Sequence, residues 1–278
     1  MDPSGQGGRE MPRKKPSTPG PYLLHMRVLR ERIKDPERFP YNLAAVRNLD
    51  TLAFHPKVTF FVGENGTGKS TLLEALAVSV RLNPEGGSRN FNFATRRSHS
   101  PLDECLRVAK SLSSPRDCYF LRAETFYNVA SEIERLDADP EGQLMVPEKL
   151  GPAYGDIPLH EQSHGESFFA LFKHRFHPPG LYLLDEPESA LSPSRQLEFL
   201  ALLHRYCKQG SQFVIATHSP IIMAYPDACI HVLKEDGIRQ VPYTETDHYL
   251  VTRGFLSSPN RSLKILLADD EDLFHGQE

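Results

Sequence analysis

The sequence predicts an α/β domain: a mostly parallel β-sheet with helices on its faces. Three observations carry that expectation. Short, continuous apolar runs, "KVTFFV" (57–62), "LYLLD" (181–185) and "QFVIAT" (212–217), read as strands buried on both faces. Segments with helical apolar spacing follow the first two runs, which is the alternation that builds parallel sheets. Glycine and proline punctuation separates the strands from the helices.

The elements follow in chain order. After the first strand and a glycine-rich turn comes "STLLEALAVSVRL" (70–82), where Leu72, Leu76 and Val80 fall at helical spacing with Leu73 and Ala77 beside them. Pro178, Pro179 and Gly180 break the chain ahead of the second strand. Ser192 is the expected N-cap of the next helix, with Pro193 in its first position, and Gly210 is the expected stop after Lys208. Following the third strand, "CIHVL" (229–233) and "IRQV" (238–241) flank "KEDG" (234–237), a pattern that predicts a β-hairpin. Residues 1–20, rich in Pro, Gly, Ser and charge, read as a disordered tail, 21–268 as one domain, and 269–278 as an acidic flexible tail.

The turn after the first strand is "GENGTGKS" (63–70), a match to G-x-x-x-x-G-K-[ST] placed between a strand and a helix. Gly63, Glu64, Asn65, Gly66, Thr67 and Gly68, with Lys69, Ser70 and Thr71 opening the helix, are expected to cradle the phosphates of ATP. Lys69 is expected to reach the β- and γ-phosphates, and the Ser70 hydroxyl to ligate Mg²⁺. The second strand runs into Asp185, the expected second holder of Mg²⁺, and then Glu186, placed to act as general base for an attacking water. The third strand ends in "ATHSP", so His218 is expected to reach the γ-phosphate or that water from a neighbouring strand end.

The stretch "HEQSHGES" (160–167) admits two chemistries. His160, Glu161 and His164 match H-E-x-x-H, a zinc-hydrolase pattern, with Glu186 as a conceivable third ligand. That pattern needs both histidines on one helix face, yet Pro158 lies just upstream and Gly165 directly follows the second histidine. Glu186 is also claimed by the strand that ends in Asp185. The alternative is a phosphate-sensing turn, "SHGES".

The motif order, "GENGTGKST", "SHGES", "LYLLDEP", "SALSP" and "ATHSP", resembles the Walker A, signature, Walker B, D-loop and H-loop series of the ATP-binding-cassette (ABC) ATPases. More narrowly it is similar to stand-alone bacterial SMC-like heads often labelled AAA-family, over roughly 22–267. The resemblance implies an ABC-type P-loop fold with a small helical signature region. It also implies Mg²⁺-dependent ATP hydrolysis and an ATP-dependent homodimer, in which Ser163 and Gly165 of one head cap the γ-phosphate held by the other. The chain departs from the family pattern in two ways. "SHGES" differs from the commoner L-S-G-G-Q, and no glutamine occurs between Thr71 and Gly142, where such ATPases carry a metal-binding one. Asn90, Asn92 or a group in "FATRRSHS" (93–100) are the open substitutes, Arg96 and Arg97 either meet phosphate or face solvent, and Tyr41 is either an adenine-stacking ring or ordinary packing. Residues 83–162 leave no room for a long coiled-coil arm.

Composition narrows the classes further. Of the 278 residues 39% are apolar and 24% charged, and the formal charge is −4. That balance gives no basic footprint for nucleic acid and leaves such binding an open question. Cys105, Cys118, Cys207 and Cys229 are scattered without a C-x-x-C pair, which fits reduced thiols. With no long apolar run and no signal-peptide core in the first 20 residues, the expectation is a cytoplasmic protein. The functional expectation is an SMC-like ATPase head acting on an unidentified partner. The alternatives are the nucleotide-binding subunit of a transporter, which the two departures disfavour so that no membrane partner is expected, and a nucleotide-gated interaction module with slow hydrolysis.

Overall fold

The computed structural model describes residues 19–88, 100–122 and 164–268. In chain order its elements are β1 (Leu23–Val28), α1 (Ala44–Arg47), β2 (Thr51–Ala53), β3 (Val58–Val62), α2 (Lys69–Ser79), β4 (Gly87–Ser88), β5 (Leu106–Lys110), β6 (Asp117–Arg122), α3 (His164–Ala170), β7 (Gly180–Asp185), α4 (Pro193–Lys208), β8 (Gln212–Ala216), α5 (Pro220–Met223), β9 (Ala228–Lys234), β10 (Gly237–Gln240), α6 (Asp247–Ser257) and α7 (Pro259–Leu266). The three apolar runs are strands β3, β7 and β8, and every residue of each is buried. Helix α4 begins where its cap residue requires: the Ser192 hydroxyl accepts from the Arg195 N–H at 3.4 Å, and Pro193 opens the helix.

Seven strands form the main sheet in the order β10-β9-β3-β8-β7-β6-β4. From β9 to β6 every pair is parallel, while β10 and β4 run antiparallel at the two edges. The expected hairpin is β9–β10, and its first strand is itself a parallel member of the sheet beside β3. Three features lie outside the sequence expectation: the parallel strand β6, the helix pair α6–α7 after the hairpin, and a separate antiparallel sheet, β2-β1-β5.

Side-chain alternation along the buried strands divides the interior into two cores. Phe60, Tyr182, Leu184, Phe213 and Ile215 face one side, where they pack with Phe168 and Phe172 and with Phe199 and Leu203 of α4. Phe61, Leu181, Leu183, Val214 and Ala216 face the other, against Leu72, Leu73 and Leu76 of α2 and Leu23 and Met26 of the small sheet. The order of layers is therefore α3–α4, parallel sheet, then α2 with the antiparallel sheet. On the first side the aromatic rings interlock: Phe172 meets Phe199 edge-on at 5.3 Å, and Phe176 stacks on Tyr182 at 4.2 Å. This packing anchors α3, the helix that carries the end of "SHGES", to the sheet.

One buried polar side chain joins the two sheets. Gln212, at the start of β8, is fully buried. Its Oε1 accepts from the N–H groups of Tyr22 and Leu23, both at 2.8 Å. Its Nε2 donates to the carbonyls of Leu23 at 2.9 Å and His55 at 3.0 Å. All four hydrogen-bonding capacities of the amide are used. Gln212→Met, similar in volume, leaves those buried N–H groups without an acceptor, and is expected to cost about 2–4 kcal/mol. Urea denaturation checks this; an unchanged midpoint would mean that Gln212 does not clasp the sheets.

Candidate nucleotide site

The site forms at the carboxyl ends of the parallel strands, where α/β sheets place their ligands. Strand β3 delivers the chain to Gly63, and the loop runs to Gly68, which precedes α2. A Cβ on Gly63 would sit 2.4 Å from the Leu233 carbonyl oxygen, so no larger residue fits against β9 there. Gly68 adopts a left-handed conformation with φ of 99°, which turns the chain into α2 without the penalty a side chain would incur. The amino end of α2 therefore faces the loop, and its partial positive charge favours an anion.

Lys69 is almost fully buried beneath the loop, and its Nζ donates to the carbonyls of Gly63 at 2.9 Å and Glu64 at 3.1 Å. Burial pushes its ammonium group below the ordinary value, against the pull of the Glu186, Asp185 and Glu188 carboxylates. One residue on, the Ser70 hydroxyl donates to Asp185 Oδ1 at 3.0 Å, across 115 positions of sequence. A hydroxyl and a buried carboxylate brought together in this way are hard oxygen donors of the kind Mg²⁺ takes, so these two side chains fit the metal expected for a phosphate loop.

Glu186 leaves the strand in a left-handed conformation, with φ 50° and ψ 53°. For a residue other than glycine that costs on the order of 1–3 kcal/mol, the kind of strain that collects at functional sites. Its N–H still donates to the Ala216 carbonyl at 2.9 Å, so only its side chain is thrown clear of the sheet. There Oε1 lies 3.4 Å from His218 Nε2. The structure thus brings together Lys69, Ser70, Asp185, Glu186 and His218 as the sequence predicts.

Four further residues at the site escaped the sequence reading. Glu188, partly buried, accepts from the His218 N–H at 2.5 Å and ties the turn after β7 to the loop after β8. Burial pushes its carboxyl up from the ordinary value, although hydrogen bonds from His218 and Thr217 oppose this. Arg122 ends β6 directly opposite Asp185 in the register; its guanidinium pairs with Glu74 at 2.7 Å and comes within 3.8 Å of Asp185 Oδ2. His248, from α6, places Nε2 3.2 Å from His218 Nδ1. Burial and the neighbouring His218 push its imidazole below the ordinary value. No local spacing signals these contacts, because each joins residues 30 or more positions apart.

A cavity of about 750 Å³ opens beside the loop. Its apolar wall is Leu43, Ala44 and Leu233, and its polar rim includes Lys234, Asp236 and Asp247. Tyr41 does not line it. That ring packs against the core beside Leu43, and its hydroxyl donates to the Pro101 carbonyl at 3.3 Å. Ser163, His160 and Glu161 lie outside the described residues, as do Asn90, Asn92, Arg96 and Arg97. Gly165 falls in the first turn of α3. Among the described residues no group of three or more His, Cys, Asp or Glu side chains is arranged to hold a metal ion. The four cysteines are free thiols and buried, and no described helix is long and apolar enough to cross a membrane.

Family models and curated proteins match this chain in sequence. Residues 41–105 match the family model described as "AAA domain", and residues 151–224 match "AAA domain, putative AbiEii toxin, Type IV TA system". The chain is 31% identical over 212 residues to the "Putative ABC transporter ATP-binding protein SCO2324" of Streptomyces coelicolor, covering 73% of this chain and 35% of that protein. It is 26% identical over 242 residues to the "Energy-coupling factor transporter ATP-binding protein EcfA2" of Methanospirillum hungatei, covering 82% of this chain and 59% of that one. The chain thus spans about a third of the length of the first two curated relatives, 35% and 31%. Among solved structures it is similar to a metal-chelate type ABC transporter (17% identity, TM-score 0.49, 83% of this chain and 88% of that chain). It is also similar to the SMC head domain of Thermotoga maritima (17%, TM-score 0.40, 80% and 98%). Phosphate loop, Walker B strand end, strand-end histidine and parallel sheet define the chain as an ABC-type P-loop ATPase fold. Its relatives in sequence are ABC ATP-binding proteins.

The ion pair beside Asp185 yields a test. Both side chains of the Arg122–Glu74 pair are less than one-fifth exposed. Arg122→Met alone strands Glu74 and is expected to destabilise the fold by about 3–5 kcal/mol. Adding Glu74→Leu is expected to recover most of that loss, as measured by chemical denaturation of the single and double variants. Additive losses would mean that the pair is not coupled.

Proposed function

We propose that this chain is an ATPase head of the SMC-like kind, hydrolysing ATP to ADP and phosphate in a head-to-head homodimer. The observation that carries the reading is the convergence at the carboxyl ends of the parallel strands: Ser70 3.0 Å from Asp185, with Glu186 next in the chain and 3.4 Å from His218. In this reading the loop amides and the amino end of α2 bind the phosphates, and the adjoining cavity takes the nucleoside. Ser70 and Asp185 would hold Mg²⁺, which when bound would neutralise charge on the phosphate oxygens.

Glu186 accepts a proton from water, whose oxygen forms the new bond to the γ-phosphorus as the bond to the β-phosphate oxygen breaks, releasing ADP. Lys69 releases its loop carbonyls to meet the charge on the transferred phosphoryl group, and His218 donates to it from the neighbouring strand end. Arg122, beside Asp185, supplies positive charge at the strand end next to the metal ligands, where the missing glutamine leaves a role open. Ser163 and Gly165 of the partner copy close the site, so nucleotide binding and dimerisation are linked. Residues 21–268 form the single ATPase domain, the protein acts in the cytoplasm, and an unidentified protein receives the output of the cycle.

A second reading is favoured by the names of the sequence relatives, which are transporter ATP-binding proteins. There the same site drives a membrane partner, and co-purification with a membrane-embedded protein would select it.

Two substitutions test the hydrolytic assignment. Glu186→Gln is expected to lower turnover by about 10²–10⁴-fold while ATP still binds and a nucleotide-bound dimer accumulates. Lys69→Ala is expected to lose nucleotide binding itself. Phosphate release, nucleotide titration and light scattering check the three readouts; a Glu186→Gln protein with full turnover removes that residue as the base.

A further inference from the structure

His218 is held from behind by a second histidine that belongs to a different part of the fold. Its Nδ1 lies 3.2 Å from His248 Nε2. The ring planes are inclined at 52° with centroids 5.4 Å apart, so the contact is nitrogen to nitrogen at the ring edges rather than a stack. On its other side, His218 Nε2 is buried, faces Glu186 Oε1 at 3.4 Å, and makes no hydrogen bond of good geometry with the described residues.

Two imidazole nitrogens at hydrogen-bond distance need one proton between them, and the surroundings decide which ring supplies it. If His218 Nδ1 carried the proton, a neutral His218 ring would aim the lone pair of Nε2 at the carboxylate of Glu186, which only accepts. That arrangement sets two acceptors against each other. If His248 Nε2 carries it instead, His218 Nδ1 accepts and His218 Nε2 bears a proton directed at Glu186 and at the place assigned to the γ-phosphate. Both of those partners are anionic acceptors, so with both rings neutral only the second arrangement satisfies these neighbours. Fixing one ring nitrogen by a partner at the other is how a histidine's tautomer is set.

The start of α6 is fastened in a way that suits this role. Thr246, its buried cap residue, accepts from the Tyr249 N–H at 3.3 Å and donates to the Tyr243 carbonyl at 2.8 Å. The Tyr243 hydroxyl in turn donates to the carbonyl of Pro220, two residues beyond His218, at 2.9 Å. Asp247 pairs with Lys234 at the end of β9 at 2.7 Å. Two tethers, one through Tyr243 and one through Asp247, thus hold the start of α6 just ahead of His248 against the strand ends.

We propose that His248 is a positioning residue for the hydrolytic centre: by donating its Nε2–H to Nδ1 it holds His218 in the tautomer whose Nε2–H faces Glu186 and the γ-phosphate. The proposal rests on the reading of this site as an ATPase, but its structural half can be read without turnover. In protein labelled with ¹⁵N-histidine, a through-hydrogen-bond ¹⁵N–¹⁵N coupling between His218 Nδ1 and His248 Nε2 is expected, together with an Nε2-protonated His218. The coupling is expected to vanish in His248→Ala.

Kinetically, His248→Ala is expected to lower kcat by about 10- to 100-fold, the range for losing a group that orients a site residue. KM for ATP is expected to stay near the wild-type value, and His248→Gln, whose amide N–H replaces the donor, to recover most of the loss. A role confined to stability would not give that split or that rescue. Absence of the coupling, an Nδ1-protonated His218, or wild-type kcat in His248→Ala each overturns the proposal. If wild-type protein shows the coupling but releases no phosphate, the ATPase reading fails while the histidine contact stands.

Discussion

The arrangement of the site depends on the register of four neighbouring parallel strands. Phe61 of β3 lies opposite Ala216 of β8, Ala216 opposite Asp185 of β7, and Asp185 opposite Arg122 of β6. Because this row crosses the sheet at one level, the phosphate loop, the Glu186 turn and the His218 loop all leave it together. Two backbone bonds continue the ladder past the strand ends: Thr217 N–H to Phe61 O at 3.1 Å, and Glu186 N–H to Ala216 O at 2.9 Å. A slip of one residue in β7 would exchange its two faces, moving Asp185 away from Ser70 and Leu183 into the wrong core. Burial of both faces of β7 therefore fixes the chemistry as firmly as it fixes the fold.

That end of the sheet concentrates negative charge. Asp185, Glu186, Glu188 and Glu74 all sit within it, answered by Lys69, by Arg122 and by the amino end of α2. Glu186 holds a left-handed backbone conformation and Glu188 a carboxyl raised by burial, two departures that the surrounding packing sustains. Local strain and charge of this kind suit a metal cation beside the carboxylates and an anion at the loop, which is what the proposed function requires. The histidine pair adds a mechanical link: α6, which closes one side of the cavity, touches the residue that faces Glu186.

The sequence made legible whatever is encoded locally. "GENGTGKS" announces itself by glycines at positions where the backbone needs them, and α4 by Ser192, Pro193 and Gly210 at its ends. Lys69, Ser70, Asp185, Glu186 and His218 follow from motifs attached to strand ends, and the sheet brings all five together. The small antiparallel sheet was not legible because β1 breaks strict alternation, with a register irregularity between Leu23 and His25. Strand β6 is an apolar run of four residues between Asp117 and Arg122 with Pro115 just ahead of it, a signal of the same kind as that of β7 that the sequence expectation did not use. Gln212, Arg122, Glu188 and His248 act through partners distant in sequence, where single-chain patterns are silent.

The central claim is that Ser70 and Asp185, brought together by the sheet register, form a metal-dependent nucleotide site with the phosphate loop. Calorimetric titration of the protein with ATP, in the presence of Mg²⁺ and of a chelator, tests it most directly when repeated on Asp185→Asn. The account predicts that Mg²⁺ strengthens ATP binding to the wild-type protein and that Asp185→Asn, still folded, loses most of that metal-dependent gain. Equal gains in the two proteins, or no binding of ATP by the wild type under either condition, would contradict it.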